Sequence, residues 1–124
     1  MKKLLLIIAL LPILLATQCD EDDNEIACTE EARAGLNITI KDAETNAYLS
    51  EGVSVVARDG SYTETLQSFD SSEPVFSGAY EREGNYTITV SKSGYVTYTS
   101  EVISVTSDVC HVIPQQRTIL LQPE

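Results

Sequence analysis

Three cysteines, one histidine and a few closely spaced carboxylates are the residues of this chain that could do chemistry. Cys110 stands directly before His111, a thiol beside an imidazole. A catalytic or redox cysteine needs a low thiol pKa and a neighbouring base. Adjacent residues on a strand point to opposite faces, however, so sequence adjacency does not by itself join these two groups. Glu81 and Glu83 flank Arg82 and could form the carboxylate pair that glycoside hydrolysis uses; at a strand end or turn they read as solvated charges. Asp20-Glu21-Asp22-Asp23 offers oxygens of the kind Ca²⁺ takes, but without the spacing of a Ca²⁺ loop, and reads as a flexible tether. His111 has no evident second ligand and reads as a satisfied rim histidine. The expectation is a chain with no catalytic residue, no metal and no cofactor.

The start of the chain is an export signal by pattern. Lys2-Lys3 is a positive n-region, and Leu4 through Ala16 is an apolar run interrupted by Pro12. That run is shorter than the ~20 residues a membrane-crossing helix needs and has the length of a secretory signal. Leu15-Ala16-Thr17-Gln18-Cys19 resembles a bacterial lipobox, whose Cys receives a diacylglyceryl group and becomes the mature N-terminus. It departs from the family pattern, with Ala16 where Leu is usual and Gln18 where a small residue is usual. The resemblance implies lipidation at Cys19. The acidic run after Cys19 resembles the tags that send Bacteroidetes-type lipoproteins to the outer face of the outer membrane. The rival is ordinary signal-peptidase cleavage with release, although no A-x-A site stands near Cys19. With Cys19 acylated, Cys28 and Cys110 remain, and an oxidising compartment pairs them. Such a bridge ties the start of the domain to its end, and a loop of that size contributes about 4 kcal/mol on the chain-entropy model.

These groups must be positioned by strands, because from Leu36 onward the period is two. Leu36, Ile38 and Ile40 alternate with polar residues, and so do Val53, Val55 and Ala57. Asp59-Gly60 favours a tight hairpin into a Thr-rich edge strand over residues 61–66. Residues 68–74 read as a loop and 75–80 as a strand. Tyr86, Ile88 and Val90 face one way along the next strand, and Lys92-Ser93-Gly94 turns it. The apolar phase changes between Tyr98 and Ile103, which predicts a bulge or bend. Ile119 and Leu121 close the domain. The expected fold is all-β, a single Greek-key β-sandwich of about seven strands with no amphipathic helix. It follows a signal peptide over 1–18 and an acidic tether over 19–34, and fills 35–124.

Two stretches carry a further resemblance. Ile40-Lys41-Asp42-Ala43-Glu44-Thr45 with Leu49, Gly52, Val53 and Val55 is similar to the opening of carboxypeptidase regulatory-like domains, which are transthyretin-like sandwiches. Gly84-Asn85-Tyr86 through Ser93-Gly94-Tyr95 resembles that family's Gly-x-Tyr strand ending in Gly-Tyr. The resemblance frames residues 35–122 and implies a non-catalytic module. Beneath it, Gly84 and Gly94 suit turn positions of positive φ, and Tyr86 and Tyr95 suit a sandwich rim.

The formal net charge is −11, and two of the eight basic residues lie in the leader. A surface this negative repels nucleic acid and anionic lipid. Asn37-Ile38-Thr39 and Asn85-Tyr86-Thr87 match glycosylation sequons but fall inside strands. Tyr95 and Tyr98 could stack on sugar rings, with core and rim packing as the alternative. The expected role is a lipid-anchored surface module of the outer membrane, binding an unidentified protein or glycan. The alternative is an inhibitor or immunity-type lipoprotein, acting through residues 68–74 or 107–116.

Overall fold

A computed structural model describes residues 27–69 and 71–124. The leader, the lipidation candidate Cys19 and the acidic run Asp20 to Asp23 lie outside the described residues. The described chain is all-β. Its strands are β1 (Ala34–Asp42), β2 (Ser54–Asp59), β3 (Tyr62–Thr65), β4 (Phe76–Tyr80), β5 (Gly84–Ser91), β6 (Tyr98–Thr99), β7 (Ile103–Val105) and β8 (Gln115–Leu121). One sheet has the order β4-β1-β8, the other β3-β2-β5, with β6 and β7 in turn along the far side of β5. The two sheets pack face to face as a β-sandwich.

The period of two is what builds the core. Leu36, Ile38 and Ile40 from β1 meet Val55, Ala57, Tyr86, Ile88 and Val90 from the opposite sheet, all with no exposed surface. Each such aliphatic side chain contributes roughly 1.5–3 kcal/mol by leaving water. Asp59 pairs with Tyr62 across a two-residue turn in which Gly60 has φ of 61°, the left-handed geometry an Asp-Gly hairpin favours.

The phase change after Tyr98 is a one-residue bulge. The four-residue step from Thr99 to Ile103 lies opposite the three-residue step from Tyr86 to Thr89. Ser100 bridges the offset: its Oγ accepts the Ile88 amide at 2.8 Å, and its amide donates to the Ile88 carbonyl at 2.8 Å. The strand expected to bend there, the sixth of about seven, is thus split into β6 and β7, giving eight.

β1 and β8 pair in parallel, from Leu36–Gln115 to Asp42–Leu121. The pairing directions give the sandwich two ends. Residues 27–33, 60–61, 81–83 and 106–114 share one end, and 43–53, 66–75, 92–97 and 122–124 share the other.

Two expectations about single residues are corrected. Tyr86 is not a rim residue but the largest fully buried side chain. Its hydroxyl donates to the Arg82 carbonyl and accepts from Arg82 Nη1, both at 2.9 Å, a bond back to upstream backbone of the kind that holds a sandwich corner. Gly84 is not a positive-φ residue, whereas Gly94 is, at 87°. What Gly84 supplies is room, because a Cβ there would stand 2.5 Å from Asp59 Oδ2 and 3.1 Å from the Tyr86 ring.

Candidate functional site: the disulfide-tied end

Cys28 and Cys110 are joined by a disulfide, their Cα atoms 5.4 Å apart. The bond fastens the segment before β1 to the β7–β8 loop, at the end of the sandwich where β1 and β8 both begin. Neither sulfur is therefore available as a thiol, and the Cys110-His111 adjacency carries no thiol chemistry.

His111 is instead brought to Glu81 and Thr29. Its Nδ1 lies 2.5 Å from Glu81 Oε2, and its Nε2 lies 3.0 Å from Thr29 Oγ1. The imidazole is 7% exposed, in place of the rim position expected for it. With the proton on Nδ1, where a carboxylate partner holds it, Nε2 accepts the Thr29 hydroxyl. Carboxylate, imidazole and hydroxyl in line are the parts of a nucleophile-activating array. An open cleft of about 610 Å³ lies alongside, lined by Glu31, Glu81, Glu83, Asp108 and His111 among others.

The surroundings of this array oppose acyl transfer. That chemistry builds an oxyanion and needs donors aimed at it. Four main-chain donors beside the array are spent on carboxylates: Cys110 and His111 give their amides to Asp108 Oδ1 at 2.8 and 2.9 Å. Val112 gives its amide to Glu81 Oε1 at 3.0 Å, and Arg33 gives its own to Glu81 Oε2 at 2.9 Å. Four carboxylates line the cleft where negative charge would have to grow. The arrangement works as a clamp in which the Glu81 carboxylate ties its own stretch of chain to two others.

Glu81 is placed for this by an unusual backbone. It sits at φ of 50°, two residues after Ala79 at 54°, just past the end of β4. Left-handed geometry at non-glycine residues persists where surroundings over-determine it. Here Glu81 also gives its amide to the Arg33 carbonyl at 3.0 Å, so the two residues bond reciprocally. The amides of Val112 and Arg33, followed by His111, hold the Glu81 carboxyl below its ordinary range. The His111 and Cys110 amides do the same for Asp108.

Glu81 and Glu83 are not a facing pair. Glu81 is bound to His111, and Glu83 accepts the Ser107 hydroxyl. Among the described residues, no group of three or more His, Cys, Asp or Glu side chains is arranged to hold a metal. Asn37 and Asn85 are engaged across strands, with Ser77 and Ser104 respectively.

At the opposite end, Tyr95 donates to Asp42 Oδ2 at 2.6 Å. That bond, with the Thr45 and Glu44 amides, lowers the Asp42 carboxyl pKa. Tyr95 is thus committed to the turn after β1, and Tyr98 alone of the two offers a free hydroxyl at the surface. The loop over 68–74 lies at this end and exposes Phe69, 74% accessible. The loop over 107–116 lies at the disulfide end.

Sequence reasoning missed the meeting of Glu81, His111 and Thr29, which lie 30 and 82 positions apart along the chain. The one available signal was that His111 sits beside a cysteine that must find a partner. No protein-family model matches the chain, and no curated protein matches it.

Proposed function

We infer that the chain is a non-catalytic binding or structural module of the bacterial cell envelope, held to the outer membrane by acyl chains on Cys19 and exposed at the cell surface. The observation that carries this reading is the Cys28–Cys110 bond. It accounts for two of three cysteines and leaves Cys19 as the remaining thiol, at the end of the apolar leader. Acyl chains contribute about 0.8 kcal/mol for each buried methylene, so two or three of them anchor firmly.

The all-β sandwich suits a carboxypeptidase regulatory-like domain, and that kinship is part of the proposal. The clamp supports the non-catalytic half of it, since the one imidazole in the chain is committed to tying segments together. The chain from Cys19 to Cys28 spans at most about 30 Å when fully extended. On this reading the disulfide end faces the membrane, and the end bearing 43–53 and 66–75 faces away.

Cys19→Ser tests the anchor. The variant should leave the membrane fraction and lose acyl labelling. Membrane association that persists, with no label on the parent protein, would overturn the reading. Recovery of one hydrolase, tightly bound, from envelope extract would replace docking with inhibition.

A further inference from the structure

The outer edge of β8 is a sheet edge with which no strand pairs among the described residues. Leu121 gives its carbonyl to the Ala43 amide on the β1 side, and Gln122 gives its carbonyl to the Val96 amide on the other. By that alternation the amides and carbonyls of Gln116, Thr118 and Leu120 point away from β1. All three residues are exposed. Among the described residues no strand pairs with this edge, and the Gln116 carbonyl takes only Arg117 Nη1, at 2.8 Å.

Across from β8 runs the bulged β6–β7 segment, and between them lies a groove of about 250 Å³. Ile103 and Ile119, both nearly buried, form its floor, and Tyr98, Val102 and Arg117 form its rim. Val102 is 62% exposed. The groove is bounded by main-chain bonds at both ends. Val96 meets Gln122 and Gly94 meets Glu124 at one end; Ser107 pairs with Val112 at the other. What remains is a strand-length row of donors and acceptors above an apolar floor.

We propose that this edge receives an extended segment of a basic partner protein as an added strand, with apolar side chains at alternate positions. Main-chain bonds supply affinity in this mode, and pockets for alternate side chains supply selectivity. Charge decides the occupant. Glu101 and Arg117 offset each other at the groove, so the −11 of the whole chain sets the field, which repels a second copy or an acidic segment and draws in a basic one. This inference deepens the binding-module reading and rests on it. The two fail separately, because substrate turnover would sink the module reading, whereas a ligand seated elsewhere would sink only this one.

The test uses a short peptide of alternating lysine and valine, its glutamate–valine counterpart, and a copy of the first with alternate amides N-methylated. The lysine–valine peptide should bind saturably and slow hydrogen exchange at Gln116, Thr118 and Leu120. Thr118→Pro removes one outward amide and no bond to β1, and should weaken binding about tenfold. Thr118→Val should leave binding unchanged. The N-methylated peptide, a check that needs no altered protein, should not bind. Absence of binding, protection mapped away from β8, equal binding of the glutamate–valine peptide, or indifference to N-methylation would each overturn the proposal. So would dimerisation of the protein alone through this edge.

Discussion

The disulfide-tied end and the β8 edge are opposite uses of polar groups. At the disulfide end lie the residues with the most reactive chemistry, namely an imidazole, carboxylates, a hydroxyl and two sulfurs, and nearly every one is bonded to another part of the chain. Along β8 the side chains are unremarkable as chemistry, yet among the described residues no strand pairs with the outer side of the main chain between Gln116 and Leu120. Reactive residue types are therefore a poor guide to where this fold leaves polar groups unbonded. Satisfied groups hold the fold, and unsatisfied ones are what a partner can use.

The largest effect expected from this contrast is at the sulfurs. Replacing both Cys28 and Cys110 with Ala should cost about 4 kcal/mol of unfolding free energy, read from chemical denaturation. A loss within about 0.5 kcal/mol would mean the disulfide end is not the structural half of the pair. His111→Ala leaves Thr29 and Glu81 without their shared partner and should cost about 1–3 kcal/mol. A neutral result would break the clamp.

Acid sharpens the comparison further. The carboxyls of Asp42, Glu81 and Asp108 are held below their ordinary values by the bonds they accept, and the last two are at the disulfide end. A depressed folded-state pKa stabilises above the unfolded pKa, and that stability is lost as pH falls through the folded value. Stability should therefore be level above about pH 5 and decline below about pH 4. The decline should be shallower in Glu81→Gln, and identical slopes in variant and parent would show that Glu81 carries none of it. The smallest effect belongs to the β8 edge, where Leu120→Gln should change stability by no more than about 0.5 kcal/mol. A larger loss would mean that this edge already serves the fold.

The legible part of the structure was local. Alternation in Leu36, Ile38 and Ile40 gave the first core strand, Asp59-Gly60 gave the β2–β3 hairpin, and the phase slip between Tyr98 and Ile103 gave the bulge. Each is a pattern a few residues long, set by backbone geometry. The pairing of Cys28 with Cys110 was also legible, from compartment and parity rather than distance. The parallel neighbours β1 and β8 were not, because alternation marks a strand without naming its partner. Tyr86 misled because its polar tip suggested a rim, while the half-exposed Arg82 supplies that tip with both its partners at the margin of the core. The Glu81 clamp was hidden for a similar reason. It depends on left-handed backbone at Ala79 and Glu81, which no glycine announces, and on three segments that meet only in the folded chain.

Whether the Glu81–His111–Thr29 array is a clamp or a catalyst decides the account. The purified protein and its His111→Ala variant can be screened side by side against peptides, esters and glycans, with and without Zn²⁺ and Ca²⁺, alongside thermal unfolding of both. A clamp gives no turnover from either protein and a lower unfolding temperature for the variant. Turnover by the parent that His111→Ala abolishes, with unfolding unchanged, would contradict it.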